Sequence, residues 1–137
     1  MLDSELRHLR YQAKDLLMKI LIVDDSKAMR MIVGRTLKQA GFDGHETVEA
    51  TNGVEALALI ESESPDIVLS DWNMPEMKGI ELLQKVRASG NEVRFGFITS
   101  ESSAETAKLA TDTGADFLLT KPFTVESLQA VLEPVLA

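Results

Sequence analysis

The stretch LMKILIVDDSKAMRMIVGRTLKQAG, residues 17–41, contains an apolar run, two adjacent aspartates and an amphipathic segment that ends in glycine. The run at residues 20–23 is continuously apolar, as buried parallel strands are. From residue 27 to 40 apolar side chains recur at helical spacing, which predicts a helix with one face on a sheet, and Gly41 stands where a C-terminal cap belongs. The residues of that face are Met29, Ile32, Val33, Thr36, Leu37 and Ala40. The stretch therefore predicts one strand followed by one helix.

This unit of strand and helix recurs along residues 18–137. Further strands are predicted at 46–50, 67–70, 95–99 and 117–119, and further helices at 54–63, 79–88 and 103–113, with a last helix after Thr124 as its N-cap. The segment from Ser102 to Glu105 fits a capping box for the fourth helix. The alternation predicts a doubly wound α/β domain, with a five-stranded parallel sheet between helices on both faces.

Composition narrows the classes of function. A chain of 137 residues with 45% apolar content has the material for one ordinary core. The absence of cysteine excludes disulfides, thiol nucleophiles and thiolate metal sites. A formal charge of -8, without a stripe of Lys or Arg, argues against nucleic acid as a partner. No apolar run approaches the roughly 20 residues of a membrane span, and no secretion signal is visible, so we expect no membrane insertion and a cytoplasmic location.

Residues 1–17 stand outside the repeating pattern. The positions Leu2, Leu6, Leu9, Ala13 and Leu16 form a two-heptad apolar seam, which predicts an extra amphipathic helix at the N-terminus. One interpretation is a helix for self-association or docking. The other is a helix folded onto its own domain, or leader sequence upstream of a start at Met18.

The side chains with chemical potential collect where the predicted strands end. Asp24 and Asp25 follow the first strand, Asp71 the third, Thr99 the fourth and Lys121 the fifth. Ligands bind outside the carboxyl ends of such strands, and in the order 2-1-3-4-5 the first and third strands are neighbours. We therefore expect the three aspartates to share one site. Three carboxylates repel one another without a cation, and oxygen-only ligands favour Mg²⁺.

An ammonium and a hydroxyl opposite three acids match the needs of a phosphoryl group. The ammonium and a metal neutralise the phosphoryl oxygens, the hydroxyl donates a hydrogen bond, and one carboxylate attacks in line. Each residue alone has an ordinary structural explanation, such as an aspartate that caps a helix. All five at the ends of the appropriate strands predict a covalent aspartyl phosphate.

Four motifs resemble those of response-regulator receiver domains: IVDDS at 22–26, SDWNMPEMKG at 70–79, ITSE at 98–101 and LLTKPF at 118–123. The motif SDWNMP in particular resembles the stand-alone, chemotaxis-type regulators of that family. The resemblance covers about residues 18–137 and itself implies the flavodoxin-like order 2-1-3-4-5.

The resemblance implies a role for each acid. Asp71 would be the phosphoacceptor. Asp25 and Asp71 would bind Mg²⁺ together with the backbone carbonyl of Asn73, and Asp24 would act through a metal-bound water. Lys121 would contact the phosphoryl group. The donor would be a phosphohistidine on a sensor histidine kinase or phosphotransfer protein. His8 and His45 match no family position, and we expect both to be solvated.

The resemblance also implies a switch and a set of tuning residues. Thr99 would move toward the phosphoryl group, while Asn73 and Glu101 would tune its lifetime. The family usually has an aromatic residue three positions before its lysine, where this chain has Leu118. Phe117 cannot simply substitute for it, because neighbouring residues on a strand point to opposite faces.

The expected function is that of a single-domain response regulator, a signalling protein rather than an enzyme. Only 16 residues follow Lys121, so we expect output through phosphorylation-dependent docking, with a flagellar motor switch component as the leading partner by resemblance. A phosphorelay intermediate and a regulator of another enzyme remain open. An aspartate-nucleophile phosphatase would normally have a second acid at Asn73, and a flavodoxin would need a phosphate-cradling loop where this chain has the acidic DDSK.

Overall fold

The computed structural model describes residues 18–42 and 44–136. The strands are β1 (Lys19–Val23), β2 (Glu46–Ala50), β3 (Ile67–Ser70), β4 (Arg94–Thr99) and β5 (Phe117–Thr120). The helices are α1 (Lys27–Leu37), α2 (Gly53–Glu63), α3 (Gly79–Ala88), α4 (Ala104–Thr113) and α5 (Val125–Leu136). The strands form one parallel sheet in the order β2-β1-β3-β4-β5. The predicted fold class and strand order are confirmed, and the predicted N-terminal helix lies outside the described residues.

Two layers of apolar side chains cover the two faces of the sheet. Alternate residues of β1 point to opposite layers, because the side-chain period of a strand is two. Ile20 and Ile22 join the layer under α1 and α5, whereas Leu21 and Val23 join the layer under α2, α3 and α4. Burial on both faces is the reason that residues 20–23 of β1 and residues 67–69 of β3 are all apolar.

The first helix differs from its prediction at its end and on one flank. Regular α-helix stops at Leu37 and continues as one wider turn, Lys38–Phe42, in which Gly41 has a φ of 98°. Glycine adopts that left-handed conformation without the steric cost of a Cβ. Val33 and Leu37 are buried as expected, but Ile32 is 45% exposed. Ile32 lies on the flank of the helix, outside the narrower stripe that contacts the sheet.

The predicted caps are in part confirmed. The hydroxyl of Thr124 accepts a hydrogen bond from the backbone N–H of Ser127 at 3.0 Å, so the predicted cap of α5 is present. At α4 the cap is Ser103, whose hydroxyl accepts from the N–H of Thr106 at 3.1 Å. The predicted capping box from Ser102 was therefore wrong by one residue, because α4 begins one residue later than the pattern suggested.

The sequence also made predictions for His45 and for the first two residues of β5, Phe117 and Leu118. His45 is half-buried and its ring stacks on Phe42 at 5.6 Å, so the expectation of a solvated histidine was wrong at this position. Phe117 and Leu118 pack against opposite layers of the core, as the strand period requires.

No helix among residues 18–42 and 44–136 is long and apolar enough to cross a membrane.

Candidate functional site

Three carboxylates meet at the carboxyl ends of β1 and β3. One ligand oxygen from each of Asp24, Asp25 and Asp71 lies within 4.8 Å of the other two. The cause is the pairing of β1 with β3, in which Val23 lies opposite Ser70, the residues just before Asp24 and Asp71. The structure thus brings the three aspartates together at one edge of the sheet, where the sequence predicted a shared site.

Lys121 brings a positive charge to the carboxylates. Its Nζ lies 3.0 Å from Oδ2 of Asp24 and 3.4 Å from Oδ2 of Asp71. The Lys121 side chain is 17% exposed, so its attraction to the acids is less screened by water than a surface pair would be. The N–H of Lys121 donates to the carbonyl of Thr99 at 2.8 Å, which anchors the chain end of β5 beside β4.

Asp24 is held in place from several directions. Its Oδ1 accepts the N–H of Ser26 at 2.9 Å, while its Oδ2 contacts Lys121. Arg30, on the first turns of α1, donates from Nη1 to the backbone carbonyl of Asp24 at 2.7 Å. The carboxylate of Asp24 is buried with both oxygens engaged, whereas Asp25 is exposed. The two adjacent acids are therefore unequal in their access to a ligand.

Asp71 is also fixed by its own backbone. The N–H of Trp72 donates to its Oδ1 at 2.7 Å, and the hydroxyl of Ser70 donates to its backbone carbonyl at 2.8 Å. A Cβ on Gly79 would clash with that same carbonyl oxygen, so only glycine allows α3 to start this close to β3. The arrangement directs Oδ2 toward Lys121.

Thr99 and two loop residues border the site. Thr99 is 0% exposed, and its hydroxyl accepts the N–H of Glu101 at 3.2 Å. The carboxylate of Glu101 in turn accepts from the amide of Asn73 at 3.0 Å. The two residues expected to tune the lifetime of a phosphoryl group thus contact each other across the loops after β3 and β4.

The donor set suits a hard divalent cation. Among the residues that the structure describes, the cluster consists of three carboxylates without a sulfur or imidazole ligand. Mg²⁺ prefers such oxygen ligands, with waters completing its coordination. Lys121 offsets part of the negative charge but has no lone pair for a metal. The residues present therefore fit Mg²⁺.

Several residues of the site were not found from the sequence. Arg30, Ser70 and Gly79 act through the backbone of Asp24 or Asp71, and such contacts depend on the fold. One feature of the site could be predicted from its immediate neighbours in sequence: Ser26, directly after the two aspartates, was expected to start a helix. It does cap α1, since its hydroxyl accepts the N–H of Met29 at 3.2 Å.

The structure thus has a parallel five-stranded sheet with three acids and a lysine at its carboxyl edge. Residues 20–133 match the response regulator receiver domain. The chain belongs to this family of receiver domains, and the four motifs recognised in the sequence fall within the matched region.

Within the family, the chain is closely related to CheY chemotaxis regulators. It is 40% identical over 122 residues to the chemotaxis protein CheY homolog of Campylobacter jejuni. The aligned residues cover 87% of this chain and 92% of that protein. Chemotaxis protein CheY1 of Helicobacter pylori is 38% identical, with 87% of this chain and 97% of that protein covered. The solved structure of Vibrio cholerae chemotaxis protein CheY4 has a TM-score of 0.77 at 36% identity, covering 87% and 98% of the two chains.

Proposed function

We propose that this protein is a phosphorylation-dependent response regulator that acts in chemotaxis, with residues 18–137 as its receiver domain. The observation that carries the proposal is the position of Asp71, whose Oδ2 lies 3.4 Å from the Lys121 ammonium within a cluster of three carboxylates. Receiver domains of the CheY type are signalling proteins, and the relatives named above are chemotaxis proteins.

In the proposed reaction, a carboxylate oxygen of Asp71 attacks the phosphorus of a phosphohistidine on a partner kinase or phosphotransfer protein. The phosphorus–nitrogen bond breaks, its electron pair stays on the imidazole nitrogen, and that nitrogen takes up a proton. The Lys121 ammonium stabilises the charge on the phosphoryl oxygens. Trp72 holds the other oxygen of Asp71 by its N–H, which restricts the carboxylate to one orientation.

Asp25, Asp71 and the backbone carbonyl of Asn73 would hold Mg²⁺ directly, with Asp24 reaching it through a water. The exposure of Asp25 and the engaged oxygens of Asp24 support this division of roles. The ion would neutralise phosphoryl oxygens and hold them in position. Nearby, the Asn73–Glu101 hydrogen bond lies where it would control access of water and set the lifetime of the aspartyl phosphate.

The proposed output is docking of the phosphorylated protein on a partner in the cytoplasm, with a flagellar motor switch component as the leading candidate. Thr99 would transmit the change toward β5, since its carbonyl accepts the N–H of Lys121. Leu118 would replace the usual aromatic residue of the switch. It packs on the same layer as Phe97, two residues before Thr99.

Trp72 allows a direct test, because it is the one tryptophan and its N–H contacts Asp71. We expect Mg²⁺ to change its fluorescence and beryllofluoride to change it again, with incorporation of one phosphoryl group from a small acyl phosphate. Asp71→Asn should abolish the second response and the incorporation. The matched control is Asp112→Asn, an exposed aspartate on α4 that pairs with Lys108.

If Asp71→Asn is phosphorylated to a comparable extent, Asp71 is not the acceptor and the proposal fails. Rapid turnover of small phosphate esters by the wild-type protein would instead favour a phosphatase. A pull-down with and without beryllofluoride then separates a motor switch partner from a phosphotransfer protein.

A further inference from the structure

A groove separate from the acidic site runs between α1 and the edge strand β2. Its volume is about 320 Å³. The residues that line it come from β1, α1, the turn after it and β2, and they include Ile22, Met31, Gly34, Arg35, Lys38 and Glu49. The groove lies beside a sheet edge that α1 leaves partly uncovered.

The two walls of the groove carry opposite charges, and the apolar side chains of Ile22, Leu37 and Phe42 also line it. On the helix wall, Arg35 and Lys38 are exposed, and Met31 is 54% exposed. On the strand wall, the side chain of Glu49 is 53% exposed. Gly34 leaves open space in the middle of the helix wall, because a Cβ built there would have no neighbouring atom of the described residues within 4 Å. An amphipathic helix with opposite charges on its two flanks would match this surface.

We propose that residues 2–16 of this chain dock in the groove as an amphipathic helix. The chain enters the domain beside it, since the carbonyl of Met18 accepts the N–H of Glu46, the first residue of β2, at 3.0 Å. Phe42 and His45 line the groove at this same end of the sheet. At 1.5 Å per residue, a 15-residue helix would be about 22 Å long, against about 16 Å for the 11 residues of α1. The segment can therefore run the length of the groove from a short tether.

The charges of the segment support this occupant. On a helical wheel, the seam of Leu2, Leu6, Leu9, Ala13 and Leu16 has Glu5 and Asp15 on one flank, which is acidic. The other flank has Arg7, Arg10 and Lys14 together with Asp3, and it is basic on balance. The connection from β1 through α1 to β2 is right-handed in such folds. A helix that runs down the groove toward Met18 therefore turns its acidic flank to Arg35 and Lys38, and its basic flank to Glu49. The reverse assignment of charges would have placed like charges together.

The groove also reaches the acidic site through one side chain. Arg30 lines it, donates from Nε to Glu49 at 2.8 Å, and donates from Nη1 to the carbonyl of Asp24 at 2.7 Å. A helix docked over Glu49 would exclude water from this ion pair, which reduces the screening of its charges but also costs desolvation free energy. Arg30 thus links the groove to the backbone of Asp24.

A disulfide trap on the full chain tests the docking, since the protein has no cysteine of its own. Ala13 lies about one turn before Leu16, at the end of the segment that leads to Met18. Gly34 lies about one turn before Lys38, at the end of α1 that faces the same end of the groove. The two positions should therefore be level with each other, so the pair Ala13→Cys with Gly34→Cys should meet in the groove. We expect an intramolecular disulfide in most molecules under mild oxidation. The control pair, Ala13→Cys with Ala88→Cys, places the second thiol on the exposed end of α3 on the opposite face, and its yield should be about tenfold lower.

Charge and seam variants make the test specific. Within the trapped pair, Leu9→Asp should reduce the yield about tenfold, and Asp15→Lys should reduce it severalfold, with recovery when Lys38→Asp is added. Unchanged emission of Trp72 verifies that each variant is folded. Equal yields in the two cysteine pairs would overturn the proposal, as would a disulfide-linked dimer in place of the monomer, which would assign the groove to a second copy.

Discussion

The Lys121 ammonium lies between two carboxylates that would otherwise repel each other, 3.0 Å from Asp24 and 3.4 Å from Asp71. The same charge that stabilises the metal-free cluster opposes the arrival of a second cation. It also attracts a phosphoryl group, which carries negative charge. Under the proposed function, this one side chain would weaken metal binding and favour phosphoryl transfer, and the two effects can be measured separately.

We expect Lys121→Met to bind Mg²⁺ about fivefold to tenfold more tightly, because about 1 kcal/mol of repulsion between cations is removed. Its reaction with a small acyl phosphate should fall by about a hundredfold or more, since the charge that stabilises the transition state is lost. Titration of Trp72 fluorescence gives the affinity, and phosphoryl incorporation gives the rate. Lys85→Met, at an exposed site on α3, is the control. An unchanged affinity for Mg²⁺ would contradict this account of the lysine.

At the scale of the elements, the start of α3 is pressed against the end of β3. The N–H of Gly79 donates to the carbonyl of Trp72 at 2.8 Å, and its Cα faces the carbonyl of Asp71. The loop between β3 and α3 therefore has little freedom where it leaves Asp71. Packing of the helix against the strand is part of what positions Asp71.

We expect Gly79→Ala to lower the free energy of unfolding by about 1–3 kcal/mol, the usual cost of overpacking, and to weaken the beryllofluoride response. Gly34→Ala is the matched control, because a Cβ at that helical position has space and should be neutral or stabilise by about 0.5–1 kcal/mol. Urea unfolding followed by Trp72 emission measures both variants. Equal effects of the two substitutions would show that the close approach at Gly79 is unimportant.

The pairing of β4 with β5 decides which residues a change at Thr99 can reach. Thr99 lies opposite Thr120, and Phe97 lies opposite Leu118. Residues two apart on a strand share a face, so Leu118 lies on the face of Thr99. A leucine there keeps the packing but has neither the ring nor the hydroxyl of the usual aromatic residue.

We expect Thr99→Ala to accept a phosphoryl group as the wild type does, but to lose at least half of the beryllofluoride-induced change in hydrogen exchange over residues 99–120. Thr120→Ala, its exposed neighbour in the sheet, should retain the change. Leu118→Tyr should enlarge it, since a ring would couple the two strands more strongly. If neither Thr99→Ala nor Leu118→Tyr alters the change, the switch lies elsewhere.

For the molecule as a whole, the clustered carboxylates repel one another, and a cation bound among them would offset that repulsion. The chain has 22 acidic residues against 14 basic ones, and three of the acids meet at one edge of the sheet. A ligand that binds only the folded state raises its stability by an amount that depends on concentration. Stability should therefore report on the metal site without any phosphoryl donor.

We expect Mg²⁺ at ten to a hundred times its dissociation constant to raise the free energy of unfolding by about 1.4–2.7 kcal/mol. Asp25→Asn should be more stable than the wild type in EDTA, because one repulsive charge is gone, and should lose most of the gain from Mg²⁺. Thermal unfolding at constant ionic strength, adjusted with NaCl, separates binding from general screening. An equal gain in both proteins would place the ion elsewhere.

The sequence alone determined the fold class and that the three acids and Lys121 would lie together at one edge of the sheet. Strand period, helical spacing and helix ends are local properties, so β1, β2 and α3 matched or nearly matched their predicted bounds. The acids, Thr99 and Lys121 were recognisable because each directly follows or ends an apolar strand. Ile32 and the cap of α4 were misjudged, since the width of a buried stripe and the first residue of a helix depend on the neighbouring elements.

Only the tertiary structure decided how the two aspartates of the opening stretch differ, because Asp24 is buried by contacts with Lys121 and the N–H of Ser26 while Asp25 is exposed. It also joined Asn73 to Glu101 and brought Gly79 against Asp71. These contacts link residues up to 97 positions apart. A pattern in sequence reports the period of one element, whereas such contacts depend on how several elements pack together.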